Sequence, residues 1–201
     1  WDDKVLNNTD NSSFLPFGHT WFKPNDYKLK THKEFKISHL AGKLNKTYGH
    51  SLRHELLARE KEINKVETNF YHTYGDRHDI NNARQGKMDV FGENMFAVAI
   101  ENTNHRGYFT EKILDLFLLR SIPIYWGCSN IGDFFNLDGV IQVNNVDDII
   151  HQSNKLNRAF YMDKKEAIED NWNRALKFVD YEQNIVNEIT NIFKHNGILA
   201  V

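Results

Sequence analysis

The chain has 201 residues and a mass of 23.6 kDa, with 25 Lys+Arg against 27 Asp+Glu, a formal net charge of −2 and a pI near 6.6. At 40% hydrophobic and 13% aromatic, with 3 Pro and 11 Gly, it has the apolar content for a buried core, and low-complexity disorder and collagen-like structure are excluded. Balanced charge argues against a dedicated nucleic-acid-binding domain and leaves a small anion met by a local basic cluster.

The single cysteine, Cys128, excludes a disulfide framework and a zinc site of several thiolates, and fits a reducing compartment. No apolar run reaches the ~18 residues of a membrane span, and WDDKVLNNTDNSSF lacks a signal pattern. An opening on Trp1 without methionine points to a fragment or processed product.

Residues 1–34 read as a connector or the remnant of an N-terminal domain: a polar loop over Asn7–Ser13, a short apolar piece Phe14–Phe17, then a Gly-, Pro- and Lys-containing stretch. From 35 to 201, short β-like runs alternate with amphipathic helices, the signature of βαβ units and a mostly parallel sheet. FKISHLAG (35–42) is a strand, followed by a helix from about Ser51 through Ile63 and a weaker strand or loop over Phe70–Tyr74. A short helix is expected near Ala83–Phe91, and MFAVAIEN (95–102) reads as a strand buried on both faces. Thr110 caps a helix EKILDLFLLR, and IPIYWG (122–127) returns as the next strand. GVIQV (139–143) precedes two C-terminal helices. Asp163 with Glu166 resembles the capping box of the first, and Asn196-Gly197 stops the second.

There is no G-x-G-x-x-G after the first strand, no P-loop, no G-x-S-x-G, no H-E-x-x-H and no D-x-D, so no motif requires a metal or a nicotinamide cofactor. His50 and His54 have the i, i+4 spacing of a ligand pair, but no third ligand stands near them, and ordinary surface histidines fit as well.

The chemistry concentrates in ENTNHRGYFTEK, Glu101 to Lys112, between a buried strand and a helix, where open α/β sheets place ligands. Lys112 sits in the first helical turn, where a cation opposes the dipole; a phosphate held there would account for it, as would a solvated lysine. Glu111 has the chemistry to hold a ribose diol or simply to complement the dipole. Asn102 and Tyr108 offer polar groups, or serve as a turn residue and a packing ring. In YGHSLRHELL, Gly49 and Ser51 open a helix expected to carry Arg53 in its first turn, so that two crossover units could converge cations on one diphosphate. Tyr125 and Trp126 either face a base or pack the core.

F-A-V-A-I-E-N-T…G-Y-F-T-E-K-I-L-D…I-P-I-Y-W-G, Phe96 to Gly127, resembles the signature of glycosyltransferase family 10, the α-1,3/α-1,4-fucosyltransferases. ISHLAGKLNKTYGHSLRHELL is similar, more weakly, to the first strand–loop–helix of that family's donor domain. The resemblance implies a Rossmann-like α/β domain, the C-terminal half of a GT-B-type fold, over 35–201. It implies a transferase moving fucose from GDP-fucose to a hydroxyl of an acceptor glycan by inverting displacement, with no metal cofactor required. Arg53 and Lys112 would contact the diphosphate, Glu111 the ribose, and Asn102 and Tyr108 the phosphates or nearby sugar. The catalytic base would be a carboxylate of an N-terminal domain, which no residue here matches. A GT-B transferase using another nucleotide sugar, or a non-catalytic nucleotide-binding module, is the alternative. Arg120-Ser121 departs from the family where a small residue or glycine often stands, and His105-Arg106 add charge to the motif loop. The compartment stays open: cytoplasmic for a prokaryotic or viral source, Golgi-anchored if an N-terminal anchor is missing.

Overall fold

The computed structural model describes residues 8, 12–27, 32–72 and 83–195, with side chains described from 86 onward in the last stretch. Five strands, β1 (Glu34–Ala41), β2 (Glu67–His72), β3 (Asn94–Ile100), β4 (Ile122–Trp126) and β5 (Ile141–Gln142), form one sheet in the order β2-β1-β3-β4-β5. Every pairing is parallel, as the alternating pattern predicts. Besides a single helical turn, Pro24–Tyr27, the α-helices of the described residues include α1 (Tyr48–Ala58), α2 (Ala83–Phe91), α3 (Glu111–Leu118), α4 (Val146–Ser153), α5 (Arg158–Asp163), α6 (Lys165–Ala175) and α7 (Tyr181–His195).

All seven residues of β3 are buried, because both faces of the sheet are covered. The period-2 alternation divides them between two cores. Ala97 and Ala99 join Tyr125, Phe117 and Leu114 on one face, while Phe96, Val98 and Ile100 join Ile37, Leu52, Leu56 and Ile124 on the other. The alanines leave room for a ring cluster in which Phe109, Phe117 and Phe178 pack around Phe135. Phe22 and Tyr27 are buried in this core, and a Cβ on Gly18 would lie 2.8 Å from Leu114, so residues 12–27 pack closely on the body of the domain.

Several boundaries differ from expectation. The α1 helix starts three residues before Ser51, where Thr47 caps it in a reciprocal box with His50, so Arg53 stands at the sixth helical position and not in the first turn. The Asp163–Glu166 box does not form: α5 ends at Asp163, and Lys164 opens α6 without a side-chain cap. The α4 helix, capped by Asn145, was not expected, and β5 is two residues long where five were expected. The Asn196-Gly197 stop and positions 73–74 lie outside the described residues.

Candidate active site

In the order 2-1-3-4-5 the chain reverses direction across the sheet between β1 and β3, and ligands of open α/β sheets bind at the carboxyl ends of strands at such a switch point. A cavity of about 170 Å³ opens there. His39 and Leu40 of β1, Val98–Ile100 of β3, Arg53 of α1, and Glu111, Lys112 and Asp115 of α3 line it. The structure therefore brings Arg53, Glu111 and Lys112 to one cavity.

Arg53 is buried, and its position comes from the strand end and not from a helix dipole. Nε donates to the Ile100 carbonyl (2.9 Å) and Nη2 to the Asn102 side-chain oxygen (2.7 Å). Asn102 thus orients a cation, and its own carbonyl accepts from the Gly49 amide (3.3 Å). Gly49 is a glycine because the backbones touch here: a Cβ would fall 1.8 Å from the Glu101 carbonyl oxygen. Burial lowers the Arg53 pKa, and Glu101 and Glu111 pull it back up.

Lys112 follows the Thr110 cap. Its ammonium lies 3.0 Å from Thr110 Oγ1, 3.2 Å from Glu111 Oε1 and 3.5 Å from Glu101 Oε2, and the side chain keeps 24% exposure toward the cavity. Burial pushes the Glu111 carboxyl up, but Lys112 and Lys87 outweigh it and hold the group below its ordinary value, so Glu111 is ionised at neutral pH. Tyr108 is half-buried nearby; burial first and Glu101 second raise its phenol, which stays a neutral hydrogen-bonding group.

Two residues at this site were not singled out from the sequence. Glu101 is fully buried, accepts from the Thr110 amide (2.9 Å) and hydroxyl (2.7 Å), and so fixes the N-terminus of α3 to the end of β3. A glutamate ending an otherwise apolar strand was its signal. Lys87 of α2 lines the same cavity, 2.6 Å from Asp115 and 4.0 Å from Glu111, under the Trp21 ring. Nothing in the sequence distinguished it from a surface lysine.

His50 and His54 hold no ligand geometry: His50 caps α1 and His54 Nε2 lies 3.0 Å from the Leu44 carbonyl. No metal-binding cluster occurs among the described residues. Tyr125 and Trp126 are packing residues, with the Tyr125 hydroxyl accepting from the Cys128 amide (2.9 Å) and Trp126 edge-on to Tyr48. No helix of the described residues is long and apolar enough to cross a membrane.

The family profile described as "Glycosyltransferase family 10 (fucosyltransferase) C-term" matches residues 38–188, three quarters of the chain. The chain belongs to glycosyltransferase family 10. It is 36% identical over 59 residues to an α-(1,3)-fucosyltransferase of Helicobacter pylori, covering 29% of this chain and 12% of that protein. It is 28% identical over 78 residues to a fucosyltransferase-like protein of Arabidopsis thaliana, covering 38% and 15%. A crystal structure of an α1,3-fucosyltransferase with GDP-fucose superposes with a TM-score of 0.48 at 22% identity, over 65% of this chain and 38% of that one. The chain thus aligns with well under half of each of these family 10 relatives.

Proposed function

We propose that residues 35–201 form the donor half of a fucosyltransferase, which moves fucose from GDP-fucose to a hydroxyl of an acceptor glycan. The observation that carries this reading is the convergence of Arg53, Glu111 and Lys112 on one cavity at the β1/β3 switch point of a family 10 domain. In this reading Arg53, set by Asn102, and Lys112 take the diphosphate, Glu111 accepts from the ribose hydroxyls, and Tyr108 donates from the motif loop. As the bond to the anomeric carbon breaks, the diphosphate gains negative charge. Cations already held in place stabilise that charge more than the ground state, without reorganisation at the moment of reaction. A carboxylate supplied by an N-terminal domain takes the acceptor proton as the hydroxyl attacks from the opposite face, which gives inversion.

Calorimetric titration with GDP, UDP, GDP-fucose and GDP-mannose tests it. Saturable binding of both GDP ligands, absent for UDP and strongest for GDP-fucose, is expected. Equal affinity for GDP-mannose would move the reading to another nucleotide sugar, and no binding of any of the four would overturn it.

A further inference from the structure

A second cavity, of about 490 Å³, lies at the amino-terminal edge of the sheet, where Lys33, Met95 and Arg120 stand at or just before the starts of β1, β3 and β4. Among the described residues five basic side chains line it, His32, Lys33, Arg120, Arg158 and Lys165, against one carboxylate, Glu169. Two of the five are already committed. Lys33 is buried and donates to the Gly92 and Asn94 carbonyls and the Ser121 hydroxyl (2.9, 3.3 and 3.1 Å). Arg120, held in left-handed backbone at φ 57°, lies over the Trp172 ring and pairs with both oxygens of Glu169 (2.5 and 3.1 Å), which consumes the one carboxylate.

That leaves Arg158 of α5 and Lys165 of α6 as exposed cations on one rim, with His32 beside them. Glu34 lies within electrostatic range of Arg158 and His32 but is engaged by Lys36 at 2.7 Å. Beside the rim the exposed Met162 offers apolar surface to an organic body attached to the anion. Three basic groups on one cavity match the three acceptor oxygens of a phosphoryl group, one more than a carboxylate presents.

We propose that this cavity binds a phosphoryl group esterified to an organic moiety, at the sheet edge opposite the donor-type cavity. The proposal is independent of the nucleotide-sugar reading. The test is an NMR titration of the protein with glycerol 3-phosphate, read at the backbone amides of residues 158–169. Saturable shifts confined to that stretch and to residues 32–34 are expected, with affinity falling about tenfold or more in Arg158→Ala/Lys165→Ala. Both side chains are exposed, so an unchanged melting temperature in the double variant is expected to accompany the loss. Absence of shifts, or a variant that titrates like the wild type, would overturn the proposal. Co-sedimentation with vesicles of phosphatidylcholine and phosphatidic acid, lost in the same variant, would assign the phosphoryl group to a lipid headgroup; glycerol 3-phosphate binding without co-sedimentation assigns it to a soluble ester.

Discussion

The Lys112 ammonium stands 3.5 Å from the buried carboxylate of Glu101, and that carboxylate also receives the amide and hydroxyl of Thr110. One side chain therefore fixes the start of α3, the orientation of its first-turn cation and the end of β3. Burial raises the Glu101 pKa, while Lys112 and Thr110 pull it down. Such a carboxylate is stabilising only while its partners remain in place.

Glu101→Gln keeps the shape but sets an amide against donors. The expected cost is about 1–3 kcal/mol of stability, with a matching loss of order at Lys112. Thermal melts check the first effect and GDP affinity the second.

Gly49→Ala drives a Cβ into the Glu101 carbonyl, a backbone atom that cannot move aside as a flexible side chain would. Separation of α1 from the end of β3 is expected, with a loss of about 1–3 kcal/mol and weaker Arg53-dependent binding. Urea unfolding measures it; wild-type stability would mean that this close approach is absent.

His39 is fully buried with Nε2 at 3.3 Å from the Arg53 carbonyl, and burial lowers its pKa to about 4, although the hydrogen bond to that carbonyl works the other way. The unfolded chain takes up the proton near pH 6.5, so the neutral ring favours the fold. Its contribution is complete above that value and is lost as the pH falls toward 4, by up to about 3 kcal/mol. Stability measured from pH 7 to 4 is expected to fall more steeply in the wild type than in His39→Gln.

Arg120 follows the C-terminal end of α3 in the left-handed position that usually takes glycine: its amide bonds Phe117, and the Ser121 amide bonds Leu116. Its contacts to Glu169, Trp172 and the Tyr27 carbonyl offset the backbone strain. Arg120→Ala loses the contacts and keeps the strain, so it is expected to be less stable than Arg120→Gly by about 1 kcal/mol in parallel melts.

Elements whose signal is local were legible in the sequence. Thr110 before an apolar face gave α3, and the unbroken apolar runs gave β3 and β4, because capping and burial on both faces leave direct marks on composition. The start of α1 was misplaced because its capping box closes on His50 and not on the usual Glu or Gln, and the reason for Gly49, contact with Glu101, lies 52 positions away. The box at Asp163 and Glu166 had the right spacing but falls at a junction where one helix ends and another begins. Arg53 was found for a mistaken reason, a helix dipole, whereas carbonyl and amide oxygens at the end of β3 hold it. Lys87 and the role of Glu101 were missed because three-dimensional neighbours, not spacing, define them.

The most direct test is calorimetric titration of GDP into the wild type, Arg53→Ala, Lys112→Ala and the double variant. Each single change is expected to weaken binding about 10- to 100-fold, the loss of one or two charge-assisted hydrogen bonds, and the double variant to lose it further. GDP affinity that is unchanged in both single variants would contradict a shared diphosphate site.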